Sequence, residues 1–105
     1  MRRILIFAGT TEGRELCECL VKAKIYHTVC VATEYGEIVL QQNPFTMIHC
    51  GRMDECEMVR FMQEGAYEII VDATHPYATV VTQNIKAAAR LCDVTYLRLL
   101  RDTGC

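Results

Sequence analysis

The chain has 105 residues, 51% of them hydrophobic and 23% charged, with a formal net charge of −2. That is enough length for one domain with its own core. Slight acidity gives no general attraction to nucleic acid or to an acidic membrane surface. No apolar run approaches the roughly 20 residues that cross a bilayer. The Arg2-Arg3 pair before Ile4-Leu5-Ile6-Phe7-Ala8 imitates a signal peptide, but Glu12, Arg14 and Glu15 follow at once. The expectation is a cytoplasmic protein with neither nucleic acid nor membrane as partner.

In chain order the pattern alternates strand and helix. The first strand is read over Arg3 to Ala8, apolar on both faces. A helix follows from about Glu12 to Lys24, with Leu16, Cys19, Leu20 and Ala23 at helical spacing. Strand two is Thr28 to Thr33, followed by Glu34-Tyr35-Gly36 and a short helical piece near Glu37 to Gln42. Asn43-Pro44 signals a turn before strand three, Thr46 to Cys50. Gly51 ends that strand, and Asp54 with Glu57 forms a capping box for the next helix. Val59, Met62 and Ala66 give this helix an apolar side, and Gly65 suits its end. Strand four is Glu68 to Asp72. The last helix is read over Pro76 to Cys92, with Thr74 or His75 as cap and Ala78, Val81, Ile85, Ala88 and Cys92 inward. Strand five is Thr95 to Leu99.

Strands and helices joined by short loops imply right-handed crossovers and a parallel sheet. The fold class expected is α/β, a Rossmann-like three-layer sheet of about five strands in the order 3-2-1-4-5. The flavodoxin-like order 2-1-3-4-5 competes. A single domain covers residues 1–105, and nothing after strand five resembles a capping helix, so the expectation is one half of a longer enzyme.

In such sheets ligands bind at the carboxyl ends of the strands. The first such loop is Gly9-Thr10-Thr11-Glu12-Gly13. A dinucleotide fingerprint wants Gly-x-Gly-x-x-Gly, and the three positions here hold Ala8, Thr10 and Gly13. The motif is weak, yet Gly9 permits a tight turn and a helix amino end favours phosphate. A capped helix with no ligand is the plain alternative. After strand two, Glu34 sits about 20 residues past the glycines, where an acidic side chain bonds ribose hydroxyls and repels a ribose phosphate. An exposed loop carboxylate explains it equally. After strand three, Gly51 allows close backbone approach and Arg52 suits a phosphate or carboxylate, though a surface arginine is as common.

The sharpest loop is Asp72-Ala73-Thr74-His75-Pro76-Tyr77. Asp72 ends a buried strand, where a carboxylate is costly unless bonded. His75 then stands over the cleft, able to donate to a ligand or to move a proton near neutral pH. It is the one candidate catalytic residue. Against this, Asp72 and Thr74 could merely tie down the turn.

The seven cysteines include no Cys-x-x-Cys pair. Cys17, Cys30, Cys50 and Cys92 fall inside apolar patterns, and the cysteines read as reduced, used as small core residues in a reducing compartment. His49-Cys50 with Cys56 approaches a metal set only weakly, and no metal is expected. His27 and His49 read as surface or strand residues, and Met53, Met58 and Met62 as core.

Ile4-Leu5-Ile6-Phe7-Ala8-Gly9-Thr10-Thr11-Glu12-Gly13-Arg14, Gly51-Arg52-Met53-Asp54 and Val71-Asp72-Ala73-Thr74-His75-Pro76-Tyr77-Ala78, with Asn84-Ile85 and Tyr96-Leu97-Arg98, resemble the precorrin-6A and cobalt-precorrin-6A reductase family. The resemblance spans essentially the whole chain. It implies an NADPH- or NADH-dependent oxidoreductase that saturates a double bond of the precorrin-6A, or cobalt-precorrin-6A, macrocycle in cobalamin biosynthesis. It implies two Rossmann-like halves with the active site between them, so this half alone would be inactive. Its partners would be the tetrapyrrole substrate and a missing carboxyl-terminal half, and the uncovered apolar surface would favour self-association. By resemblance and position, Gly9, Thr10, Thr11, Thr33, Glu34, Gly51, Arg52, Asp72, Ala73 and Thr74 surround the cofactor. His75 and Tyr77 meet the substrate. The alternative is a non-catalytic nucleotide-binding or regulatory module of the same build. A receiver domain would need an acidic cluster near strand one, which Phe7-Ala8-Gly9 does not supply.

Overall fold

The computed structural model describes residues 3–32 and 43–100. The elements are β1 (Ile4–Phe7), α1 (Thr11–Lys22), β2 (His27–Val31), β3 (Thr46–Cys50), α2 (Glu55–Glu64), β4 (Ile69–Asp72), α3 (Thr79–Leu91) and β5 (Thr95–Arg98). All strand pairs are parallel, in the order β3-β2-β1-β4-β5. This is the expected 3-2-1-4-5 order, not its flavodoxin-like competitor. The helical piece expected over residues 37–42 lies outside the described residues, as do Thr33 and Glu34.

Parallel registry sorts the side chains into two faces. Ile6 lies beside Val29 and Val71, and Val71 beside Leu97. Ile6, Val29 and Val71 pack with Cys17, Leu16 and Leu20 of α1. On the other face Leu5, Phe7, Cys30 and Ile70 pack against Met58 and Met62 of α2 and Ile85, Ala88 and Ala89 of α3. Leu5, Ile6, Ile70 and Ile85 are fully buried, and each such side chain stabilises the fold by about 1.5–3 kcal/mol. Met58 and Met62 are core, as read, whereas Met53 is only partly buried. His27 and His49 are strand residues, and His27 is buried between Ile25 O and Thr46 Oγ1.

The three helices among the described residues end alike. In each, the second residue past the cap bonds back to form the outer ring of a Schellman motif: Ile25 N–H to Leu20 O, Tyr67 N–H to Met62 O, Val94 N–H to Ala89 O. The left-handed position is held by Lys24, Ala66 and Asp93, not by glycine. Gly65 therefore serves a different purpose from the one expected. Its φ is −83°, but a Cβ there would run into the ring of Tyr67. At the other end of α2 the expected capping box is present, with Glu57 N–H to Asp54 Oδ1 at 2.8 Å.

The start of α3 departs from the expectation. Pro76 does not open the helix; it sits in a turn closed by Ala78 N–H to His75 O at 2.9 Å, and the helix begins at Thr79 with no side-chain cap. The polar groups read as caps are engaged elsewhere: Thr74 by Asp72, and His75 within its own turn.

Candidate functional site at the carboxyl rim

β1 and β4 are neighbours with Phe7 beside Asp72, so the loops that follow them leave the same rim side by side. Thr10 Oγ1 donates to Ala73 O at 2.8 Å, and Ala73 N–H to Phe7 O at 2.8 Å. Thr10 is also the N-cap of α1, accepting from Gly13 N–H. Gly13 is needed because an added Cβ would lie 2.9 Å from Cβ of Ala73. The third glycine of the fingerprint thus brings helix and strand together, as that position does in dinucleotide folds. The α1 amino end, with its positive partial charge, opens on this junction.

Beside the junction lies a cleft of about 540 Å³, lined by Gly9, Gly51, Arg52, Thr74, His75 and Tyr77 among others. Arg52 enters it without an ion-pair partner among the described residues. Gly51 has φ +129°, a conformation that side chains rarely adopt, and nothing within 4 Å of where a Cβ would stand. Six expected site residues are therefore gathered at one opening. Thr10, Thr11, Asp72 and Ala73 do not line it. Asp72 and Ala73 are fully buried, and the Thr10 hydroxyl is committed to the junction.

Asp72 organises the second loop instead. Its Oδ1 accepts from Thr74 N–H at 3.1 Å, Thr74 Oγ1 at 2.6 Å and Arg98 Nη1 at 2.9 Å. Its Oδ2 accepts from Thr82 Oγ1 at 2.8 Å and Tyr96 Oη at 2.7 Å. Arg98 Nη1 also donates to Thr74 O at 3.0 Å. Burial pushes this carboxyl up, but the bonds from Thr74, Tyr96 and Thr82 outweigh it and hold Asp72 below the usual carboxylate range. Burial and the Asp72 carboxylate push the Tyr96 phenol above its ordinary value. Neither Tyr96 nor Arg98 was singled out from its own chemistry. The available signal was registry: Arg98 pairs with Asp72 across β4 and β5, and Tyr96 lies two residues earlier on the same face.

Elsewhere in the cleft, burial pushes the Cys30 thiol up to about 12, so it stays protonated at neutral pH and is no nucleophile. Val80, Val81 and Met53 make the remaining wall apolar, and Tyr77 and Val80 stand exposed at its lip.

Sheet order, crossovers and rim cleft together define a Rossmann-like α/β domain. Residues 3–104 match the family model described as "Precorrin-6x reductase CbiJ/CobK", and the chain belongs to that family. It is 33% identical over 98 residues to a cobalt-precorrin-6A reductase of Salmonella typhimurium, covering 93% of this chain and 37% of that protein. It is 34% identical over 98 residues to one of Priestia megaterium, covering 93% and 38%. With a precorrin-6A reductase of Mycobacterium tuberculosis the identity is 31% over 105 residues, covering 96% and 40%. The solved structure "CobK precorrin-6A reductase" superposes with a TM-score of 0.82 at 24% identity, over 96% of this chain and 39% of that one, and shares its fold. The chain thus spans about two-fifths of the length of these relatives.

Proposed function

We propose that this chain is the amino-terminal, cofactor-holding half of a reductase that uses NADH or NADPH to saturate one double bond of the precorrin-6A or cobalt-precorrin-6A macrocycle. The observation that carries the reading is the convergence of the β1 and β4 loops beside a cleft, in a chain matched over residues 3–104 by the reductase family. The residues suit a dinucleotide. The α1 amino end and Arg52 supply positive charge for phosphates, and Gly9 and Gly51 let backbone approach a ligand. Glu34, outside the described residues, would bond ribose hydroxyls and turn the preference towards NADH.

The bound nicotinamide supplies the hydride, and the protein contributes orientation and electrostatics. Thr74 and His75 form the polar end of the cleft, while Tyr77, Val80 and Val81 give an apolar wall against which a flat macrocycle could lie. Covering that end would exclude water from it. A second Rossmann-like half would close the cleft.

The test is titration of the full-length protein with NADH and NADPH, followed by nicotinamide oxidation in the presence of the macrocycle. Saturable binding with macrocycle-dependent oxidation supports the reading. Binding without oxidation favours the non-catalytic nucleotide-binding module, and absence of both sinks the proposal.

A further inference from the structure

The two ring nitrogens of His75 have different surroundings. Nδ1 lies 3.2 Å from the backbone nitrogen of Tyr77, whose N–H donates to it. A ring nitrogen that accepts carries a lone pair, so the neutral imidazole bears its proton on Nε2. The arrangement is held on several sides. The turn is closed by Ala78 N–H to His75 O, with Pro76 fixing φ at its second position. The Tyr77 ring packs on the imidazole with centroids 5.1 Å apart and planes tilted by 33°. The preceding peptide is anchored by Thr74 N–H to Asp72 Oδ1 and by Arg98 Nη1 to Thr74 O. Nε2 has no partner among the described residues, and His75 lines the cleft.

From this geometry we infer that His75 is a hydrogen-bond donor of fixed tautomer, presenting Nε2–H to an oxygen of the bound ligand, and is not the proton source. The inference rests on the reductase reading. Proton balance supports it. To release a proton from Nε2 and end neutral, the ring must first carry one on Nδ1 as well. That proton would point at the Tyr77 N–H, and the bond that shapes the turn would be lost. The oxygen that Nε2–H meets is a carbonyl-type acceptor, either the carboxamide of the nicotinamide or a carboxylate on the macrocycle.

Two substitutions separate the two nitrogens. His75→Asn keeps an acceptor near Nδ1 for the Tyr77 N–H but reaches no further. His75→Gln places an amide N–H near Nε2 but loses the Nδ1 acceptor, and an amide delivers no proton. In the full-length protein, with thermal midpoints recorded for both variants, His75→Gln is expected to keep kcat/KM within about threefold of wild type, and His75→Asn to lose about tenfold, as for a lost ligand hydrogen bond. A rise confined to KM for the nicotinamide identifies the carboxamide, and one confined to the macrocycle identifies its carboxylate. Nitrogen NMR of histidine-labelled full-length protein, assigned with His75→Ala, should give a pyridine-like Nδ1 and a pyrrole-like Nε2. The opposite tautomer overturns the inference, as does His75→Gln losing as much turnover as His75→Asn, or neither variant changing it. Wild-type protein with no macrocycle-dependent oxidation sinks the reductase reading instead, and the tautomer measurement still decides the state of the ring.

Discussion

After β1 the chain crosses to α1 through Ala8, Gly9 and Thr10 alone; after β4 it runs from Ala73 to Ala78, through a separate turn, before α3 begins. The short loop is shaped by space. Gly13 lets α1 settle against Ala73, and one hydroxyl, that of Thr10, both caps the helix and ties the loops together. The long loop is shaped by charge. A buried carboxylate gathers donors from its own loop, from α3 and from β5. Apolar packing alone would not choose among conformations of so polar a segment. A buried acceptor with directional donors does, because each broken bond leaves a desolvated polar group. The cleft therefore has one wall set by close backbone approach and another set by a polar network.

Breaking the network is expected to be the largest perturbation. Asp72→Ala leaves Arg98, Tyr96, Thr82 and Thr74 without their acceptor, and should cost about 3–5 kcal/mol in urea denaturation of the full-length protein. On the spacing side, Gly13→Ala forces a methyl against Cβ of Ala73 and should cost about 1–3 kcal/mol. It should also weaken nicotinamide binding by titration, since it separates the two loops. Thr10→Val removes the cap and the link to Ala73 O and should cost about 0.5–2 kcal/mol by the same denaturation assay. If Thr10→Val proved as damaging as Asp72→Ala, the contrast between the loops would collapse.

The mildest lever is pH, which reaches the network through Asp72. The folded Asp72 carboxyl titrates below its unfolded value, so its contribution is complete above about pH 4 and is lost as pH falls through the folded value. Denaturation midpoints should therefore drop on acidification below about pH 4 in the wild type. This limb should flatten in Asp72→Asn, where the group no longer ionises. An unchanged acid limb in that variant would assign it to other carboxylates.

The strands were legible because buried parallel strands read as apolar runs; right-handed crossovers fit both 3-2-1-4-5 and 2-1-3-4-5, and the pairing of β1 with β4 decided between them. The capping box at Asp54 and Glu57 was equally plain, since it depends on residues three apart. The site was legible in part. Gly9, Gly51, Arg52, Thr74, His75 and Tyr77 line the cleft, as their strand-end positions suggested. Asp72 was read as a cofactor neighbour and is instead the buried centre of the network, because its partners Tyr96 and Arg98 come from a strand more than twenty residues away. Thr74 and His75 fit a helix cap on paper, and only the competing bonds to Asp72 and Tyr77 remove them from that duty.

By itself the sequence determined what is local or periodic: the alternation of elements, the apolar faces, the capping box at Asp54 and Glu57 and the glycines that permit close turns. It determined too that polar loops follow β1, β3 and β4. Tertiary structure alone decided which of those loop residues face the cleft and which hold the loop in place. That choice depends on the registry of β4 against β5, where Arg98 comes to lie beside Asp72. A carboxylate surrounded by donors from three elements is buried and bonded, whereas the imidazole three residues further on is left open to the cleft.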